Sequence, residues 1–212
     1  MKVFKFEVDE DFARRNNEML RDTRRFRTSG ISLGIILVVA AVIAFFATGR
    51  APWTIWLIVA PSILAIAFIA TGIGVARKFN SAQDIYDRYP LVPAVIAEVN
   101  ERDMVLMALV NASRDPENDA PALCLRTVTK IPGVDKPTKG TKVPCCAVYG
   151  NGTPQDTLWH EVRPMPIAWG TPDQEVVAIA RKSIPQDQWN KLDRHRDKLD
   201  LVKNTPRDLY VL

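Results

Sequence analysis

The 212-residue chain predicts a membrane α-helical hairpin joined to an α+β cytoplasmic domain, in which a small antiparallel β-barrel of the OB or SH3-like kind is followed by two helices. Three observations carry that fold class. Although 25% of the residues are charged, none is charged from Thr28 to Gly49, and after Arg50 none until Arg77. Beyond Lys78, short apolar runs alternate with Asn, Asp and Pro clusters, the pattern of several short strands. From Thr171 the apolar period changes to that of helices.

Residues 1–28 form the first segment. KVFKFEV (2–8) puts Phe4 and Phe6 on one side and Lys5 and Glu7 on the other, the period of a half-buried strand that could pair with the later domain. Asp9 to Thr28 opens with acids, ends in arginines and lacks Gly and Pro, as a helix complementing its own dipole should. Either an amphipathic surface helix or a straight continuation into the apolar run satisfies it.

Residues 29–78 are the predicted hairpin. Gly30 to Thr48 and Trp53 to Ala76 are each close to the length that covers a hydrocarbon core of roughly 30 Å at about 1.5 Å per helical residue. Gly49-Arg50-Ala51-Pro52 leaves room only for a tight turn, and Pro61 predicts a kink. Arg24, Arg25 and Arg27 before the first run, and Arg77 and Lys78 after the second, place both termini in the cytoplasm. Trp53 and Trp56 would sit at the interface. The expected location is therefore the plasma membrane, with two spans and no cleaved leader. Neither run holds Asp, Glu, Lys, Arg or His, which argues against a transporter. Small residues recur at helical spacing as Gly30 and Gly34, Ala40 and Ala44, Ala67 and Thr71, and Ala70 and Gly74, more than one mutual contact needs, so partner helices could pack there.

Residues 79–170 are expected to be β-rich, with strands near 94–99, 104–111, 122–129, 142–149 and 158–163. Residues 171–212 add the helices: Thr171-Pro172-Asp173-Gln174 reads as a capping box, and Trp189, Leu192, Leu199 and Val202 mark a second helix running to about Lys203. The tail Leu209 to Leu212 could be loose or add a strand. From residue 79 onward, 17 Lys and Arg stand against 18 Asp and Glu, so the basic pI of about 9.0 belongs to the flanks of the hairpin. Those arginines could also attract anionic lipids, whereas a near-neutral domain offers nucleic acid no footprint.

No catalytic, cofactor-binding or metal site is legible. Cys124, Cys145 and Cys146 lack a metal-ligand spacing, and neighbouring Cys145 and Cys146 should face opposite sides of a strand. His160 and His195 are read as structural or solvated. No nucleophile elbow, phosphate loop or dinucleotide fingerprint is present. Asn111-Ala-Ser and Asn151-Gly-Thr match the glycosylation triplet by chance on a cytoplasmic reading.

The charged amino-terminal helix, the hairpin, YPLVPAVIAEVNERD, KGTKVPCCAVYG and IPQDQWNKL together resemble a family of actinobacterial, mainly corynebacterial, membrane proteins of unassigned role. The layout also looks like an accessory subunit of the respiratory supercomplex of cytochrome bcc and cytochrome aa3 oxidase. That resemblance implies a non-catalytic subunit acting in electron transport, with an integral membrane complex as partner and no cofactor of its own. The alternative is a tethered regulatory or ligand-binding module, which a deep polar pocket in the barrel would favour. A third reading, an enzyme using His160 with a carboxylate, needs the pair to meet in a cleft.

Overall fold

The computed structural model describes residues 2–47, 55–77, 81–115, 118–150 and 155–212, with the side chains at 23–24, 26–27, 45, 55, 57–58 and 72–77 outside that description. Two units result: residues 1–17 with 81–212, and residues 18–80.

The first unit is built on six antiparallel strands: β1 (Leu91–Val99), β2 (Met104–Asn111), β3 (Pro121–Val128), β4 (Lys142–Tyr149), β5 (Val162–Pro166) and β6 (Leu209–Val211), in the order β5-β4-β1-β2-β3-β6. In β1, Leu91 to Ala97 are buried without alternation, so both faces of the sheet are covered. Pro93 stands opposite Pro144 where the ladder of β1 with β2 and that of β4 with β5 have not yet begun, so neither missing N–H costs a sheet bond. Register puts Ala94, Ala108, Cys124, Cys145 and Ala147 on one face. These small side chains let the sheet curl over that face, and a bulge between Ile96 and Glu98 adds to the bend. Arg126 of β3 reaches across to donate to the Pro164 carbonyl of β5, 3.3 Å away, and lies over the Trp169 ring. Trp169 is fully buried and donates through its indole to the Lys130 carbonyl.

The helices follow from local rules. α1 (Glu10–Asn16) is capped by the Asp9 carboxylate, which accepts from Phe12 N, and ends where Asn17 turns extended. α4 (Ala82–Arg88) buries Ile85 and Tyr86. α5 (Gln174–Ser183) starts at Asp173, whose carboxylate accepts from Glu175 N, while the Thr171 hydroxyl caps only the preceding turn. α6 (Gln186–Arg194) and α7 (Leu199–Lys203) are separated by a 3₁₀ turn at Arg196–Lys198, where a single helix was expected.

The second unit is α2 (Glu18–Ala47) packed on α3 (Ile55–Arg77), with Pro61 inside α3. At Gly34 a Cβ would come within 2.9 Å of the Ile69 side chain and 3.3 Å of the Ala65 carbonyl, so glycine sets this close approach. α2 runs unbroken from Glu18, so Glu18 to Thr28 continues straight into the apolar run, but the single helix expected from Asp9 is broken at Asn17, whose backbone is extended.

Two expectations require correction. Among the described residues no helix is long and apolar enough to cross a membrane. The membrane hairpin with two transmembrane helices, and with it the plasma-membrane placement with both termini cytoplasmic, is therefore not supported. The barrel is also corrected: the sheet is curled but open, with β5 and β6 as edges.

Candidate functional site

α2 and α3 each have a covered and an uncovered side, and the difference is steric. Gly34, Ala41 and Ala65 are buried and permit close packing of the two backbones. The larger residues are on the other side: Ile36, Ile43, Ile63 and Ile66 are between 62% and 66% exposed, and Ile35 is also exposed. Apolar patches of this kind, when they exceed the scattered exposure usual for folded chains, mark interaction surfaces.

The small residues singled out from spacing divide between the two sides. Gly34 faces α3 within the hairpin. Gly30 and Ala44 are half-buried, whereas Ala40, Ala67, Ala70 and Thr71 are exposed. The Thr71 hydroxyl donates back to the Ala67 and Phe68 carbonyls, so its polar group is satisfied along its own helix. Gly74 lies in α3 with its surroundings outside the description, as do the side chains of Arg24, Arg27 and Arg77. Arg25 and Trp56 are exposed, and Trp53 and Lys78 lie outside the described residues.

A second surface was missed because its residues are distant in sequence. Tyr149 at the end of β4 stacks on Trp159 with centroids 5.1 Å apart, Tyr89 meets Tyr149 edge-on at 5.9 Å, and the Arg114 guanidinium lies 4.4 Å from the Trp159 ring. Backbone pairing beyond β2 holds the group: Trp159 N donates to the Ala112 carbonyl and Arg114 N to the Thr157 carbonyl. Burial, with smaller effects from Cys124 and Tyr89, pushes Tyr149 up to about 12. Strand register through Tyr149 was the signal available in the sequence.

The residues weighed for chemistry are placed as follows. His160 Nε2 lies 3.2 Å from Asp156 Oδ1, but the His160 side chain is 54% exposed, so the pair meets at the surface and not in a cleft. His195 Nδ1 lies 2.7 Å from the Lys191 carbonyl. All three thiols are free and buried. Burial pushes each well above the ordinary thiol range, and for Cys145 the neighbouring Cys146 and Cys124 add to it. Among the described residues no group of His, Cys, Asp and Glu could hold a metal ion. Asn151 of the second glycosylation triplet lies outside the described residues. A cavity of about 210 Å³ opens between the ends of β2 and β3 and the first turns of α6, outside the curl of the sheet.

A comparison with curated proteins finds no match. Among solved structures the chain is similar to one from Corynebacterium diphtheriae described as a putative membrane protein. The two are 47% identical over 57% of this chain and 99% of that one, with a TM-score of 0.55. A family model described as protein of unknown function (DUF3239) matches residues 77–200, more than half of the length. The chain belongs to that family, a corynebacterial relative of which has this fold.

Proposed function

We propose that the protein is a non-catalytic accessory subunit that docks on apolar helices of a larger protein complex through the outer side of α2 and α3. The observation that carries this reading is the exposure of Ile36 and Ile43 on α2 and of Ile63 and Ile66 on α3, each on a helix that also exposes small residues, Ala40 on α2 and Ala67 and Ala70 on α3. Bulky apolar groups supply burial, worth about 1.5–3 kcal/mol for each side chain fully covered, and small ones let a second backbone approach. The partner we infer is the actinobacterial cytochrome bcc and cytochrome aa3 assembly. It is supported by the corynebacterial origin of the matched structure.

The test is mild-detergent affinity purification of the tagged full chain from native cells, read by mass spectrometry and visible haem spectra. Stoichiometric cytochrome subunits with the native chain, lost with Ala67→Leu, are expected, since leucine blocks close approach at an exposed position without touching the contact between α2 and α3. Recovery of the chain without haem, or with haem unaffected by Ala67→Leu and by Ile63→Ser, would sink the reading.

A further inference from the structure

β6 is laid on β3 by a turn that its own residues do not favour. Arg207 has φ 58° and ψ 25°, and Asp208 has φ 54°. Among the described residues positive φ otherwise falls on Gly133 and Gly140, where no side chain opposes it. Asp tolerates this region better than most residues, whereas Arg does not. Pro206 fixes its own φ and keeps Thr205 extended, at φ −91° and ψ 150°, so the reversal into β6 falls on Arg207 and Asp208 alone. One turn bond closes it, from Asp208 N to the Thr205 carbonyl at 3.1 Å.

The strand is lightly held, but the place it fills needs filling. Leu209 and Tyr210 are half-buried and Val211 is 41% exposed, yet the β3 residues opposite them, Ala122, Leu123 and Cys124, are fully buried. With Arg207 and Asp208 extended, the four steps from Thr205 to Leu209 reach about 13–14 Å and carry β6 off its own sheet. The β6 of a second copy restores the same ladder, the bond from Leu212 N to the Pro121 carbonyl and the Tyr210 ring 5.3 Å from Lys198 Nζ. What the exchange removes is the strained turn, and short strained hinges favour such swapping. The opposite edge of the sheet offers no equal place, because Pro164 and Pro166 interrupt the donors of β5.

We propose that two copies of the chain exchange β6, each laying Leu209–Val211 on the β3 of the other in a symmetric dimer. The exchange belongs to the first unit and does not depend on the docking surface of α2 and α3, so either reading can fail alone.

The experiment is disulfide trapping in the full chain. Because Leu212 and Pro121 share a hydrogen bond, the next pair, Ala122 and Val211, is of the non-hydrogen-bonded kind, with Cα atoms about 4.5 Å apart and within disulfide reach. Ala122→Cys with Val211→Cys is incubated dilute and concentrated, oxidised, alkylated and run on a denaturing gel, with Val211→Cys alone as the background. Such a gel ignores non-covalent association of the exposed helices. A covalent dimer above that background is expected, its share rising with chain concentration. Arg207→Gly with Asp208→Gly, which relaxes the closed turn, should lower the association constant at least about tenfold, and Asp208→Pro, which forbids that turn, should make the dimer predominate. Should the double cysteine variant not fold, Leu209→Cys traps the same pairing against native Cys124. Chains closed only on themselves at every concentration, or a dimer indifferent to both hinge changes, would overturn the proposal.

Discussion

The Glu10 carboxylate accepts a hydrogen bond from the Ser81 hydroxyl at 2.6 Å and another from Gln83 N at 3.1 Å, linking α1 to the start of α4. Burial alone would push Glu10 up, but the Ser81 hydroxyl and the backbone N–H groups of Gln83 and Ala82 outweigh it and hold Glu10 below its ordinary value. A lowered folded pKa contributes stability that is complete above the ordinary carboxylate value near 4.5 and disappears as pH falls through the folded value. Glu10→Gln should therefore be less stable than the native chain at pH 7, and the gap should narrow as pH falls from about 5 toward 3. Urea midpoints across that range measure it, and a gap that does not change with pH would show that the carboxylate charge is not what matters. The thiols make a second case at this scale. Because burial raises Cys124, Cys145 and Cys146, an aromatic disulfide reagent at pH 8 should find no reactive thiol in the folded chain and three per chain in denaturant. Fast labelling of any of them in buffer would contradict the burial.

Among the elements, β2 and β4 are legible to the residue, since Met104–Asn111 and Lys142–Tyr149 are bounded by turn residues and carry uninterrupted apolar runs. β5 is displaced from 158–163 to Val162–Pro166, because Leu158 and Trp159 serve the aromatic ladder and Pro164 and Pro166 are tolerated on an edge strand. α4 was not foreseen, as seven residues carry too little periodicity to be recognised. The extended amino-terminal segment does join the domain, with Val3 bridging Pro90, and Leu209–Val211 does add a strand. The curl was not legible because it depends on which residues share a face across four strands, which only register decides. Of the site, the small residues were visible from spacing, whereas the cavity beside α6 joins Asn111 to Gln188 across 77 positions and left no local trace. The curl yields its own prediction. Ala108 is fully buried between Ala94 and Cys124, so Ala108→Leu should overpack the concave face and cost about 1–3 kcal/mol in denaturant titration. A cost under about 0.5 kcal/mol would mean that the face has room to spare.

For the molecule as a whole, the boundaries of the family model and of the folded unit differ. The model begins at residue 77, yet residues 1–17 are part of the sheet-containing unit. Leu91 N donates to the Lys2 carbonyl, Asp9 N to the Gly170 carbonyl, and Gln83 joins Val8 N and the Phe6 carbonyl, while the Phe6 ring packs edge-on against buried Tyr86. Residues 18–80 are therefore an insertion into a domain and not a leader in front of it. Because Glu10 binds Ser81, the chain leaves and re-enters the domain on neighbouring elements, and the cost of closing a loop grows only slowly with its length. Replacing residues 18–80 by a flexible Gly/Ser linker of about ten residues, which spans roughly 16–19 Å on average, should leave the first unit folded with a cooperative melt. Starting the chain at residue 77 should not, since it exposes Tyr86 and removes the partners of Gln83 and Gly170. A linker variant that stays folded but no longer recovers haem-containing subunits would assign docking to the insertion, and one that still recovers them would move it to the Tyr89, Tyr149 and Trp159 surface. A truncated chain as stable as the linker variant would show that residues 1–17 decorate the domain without completing it.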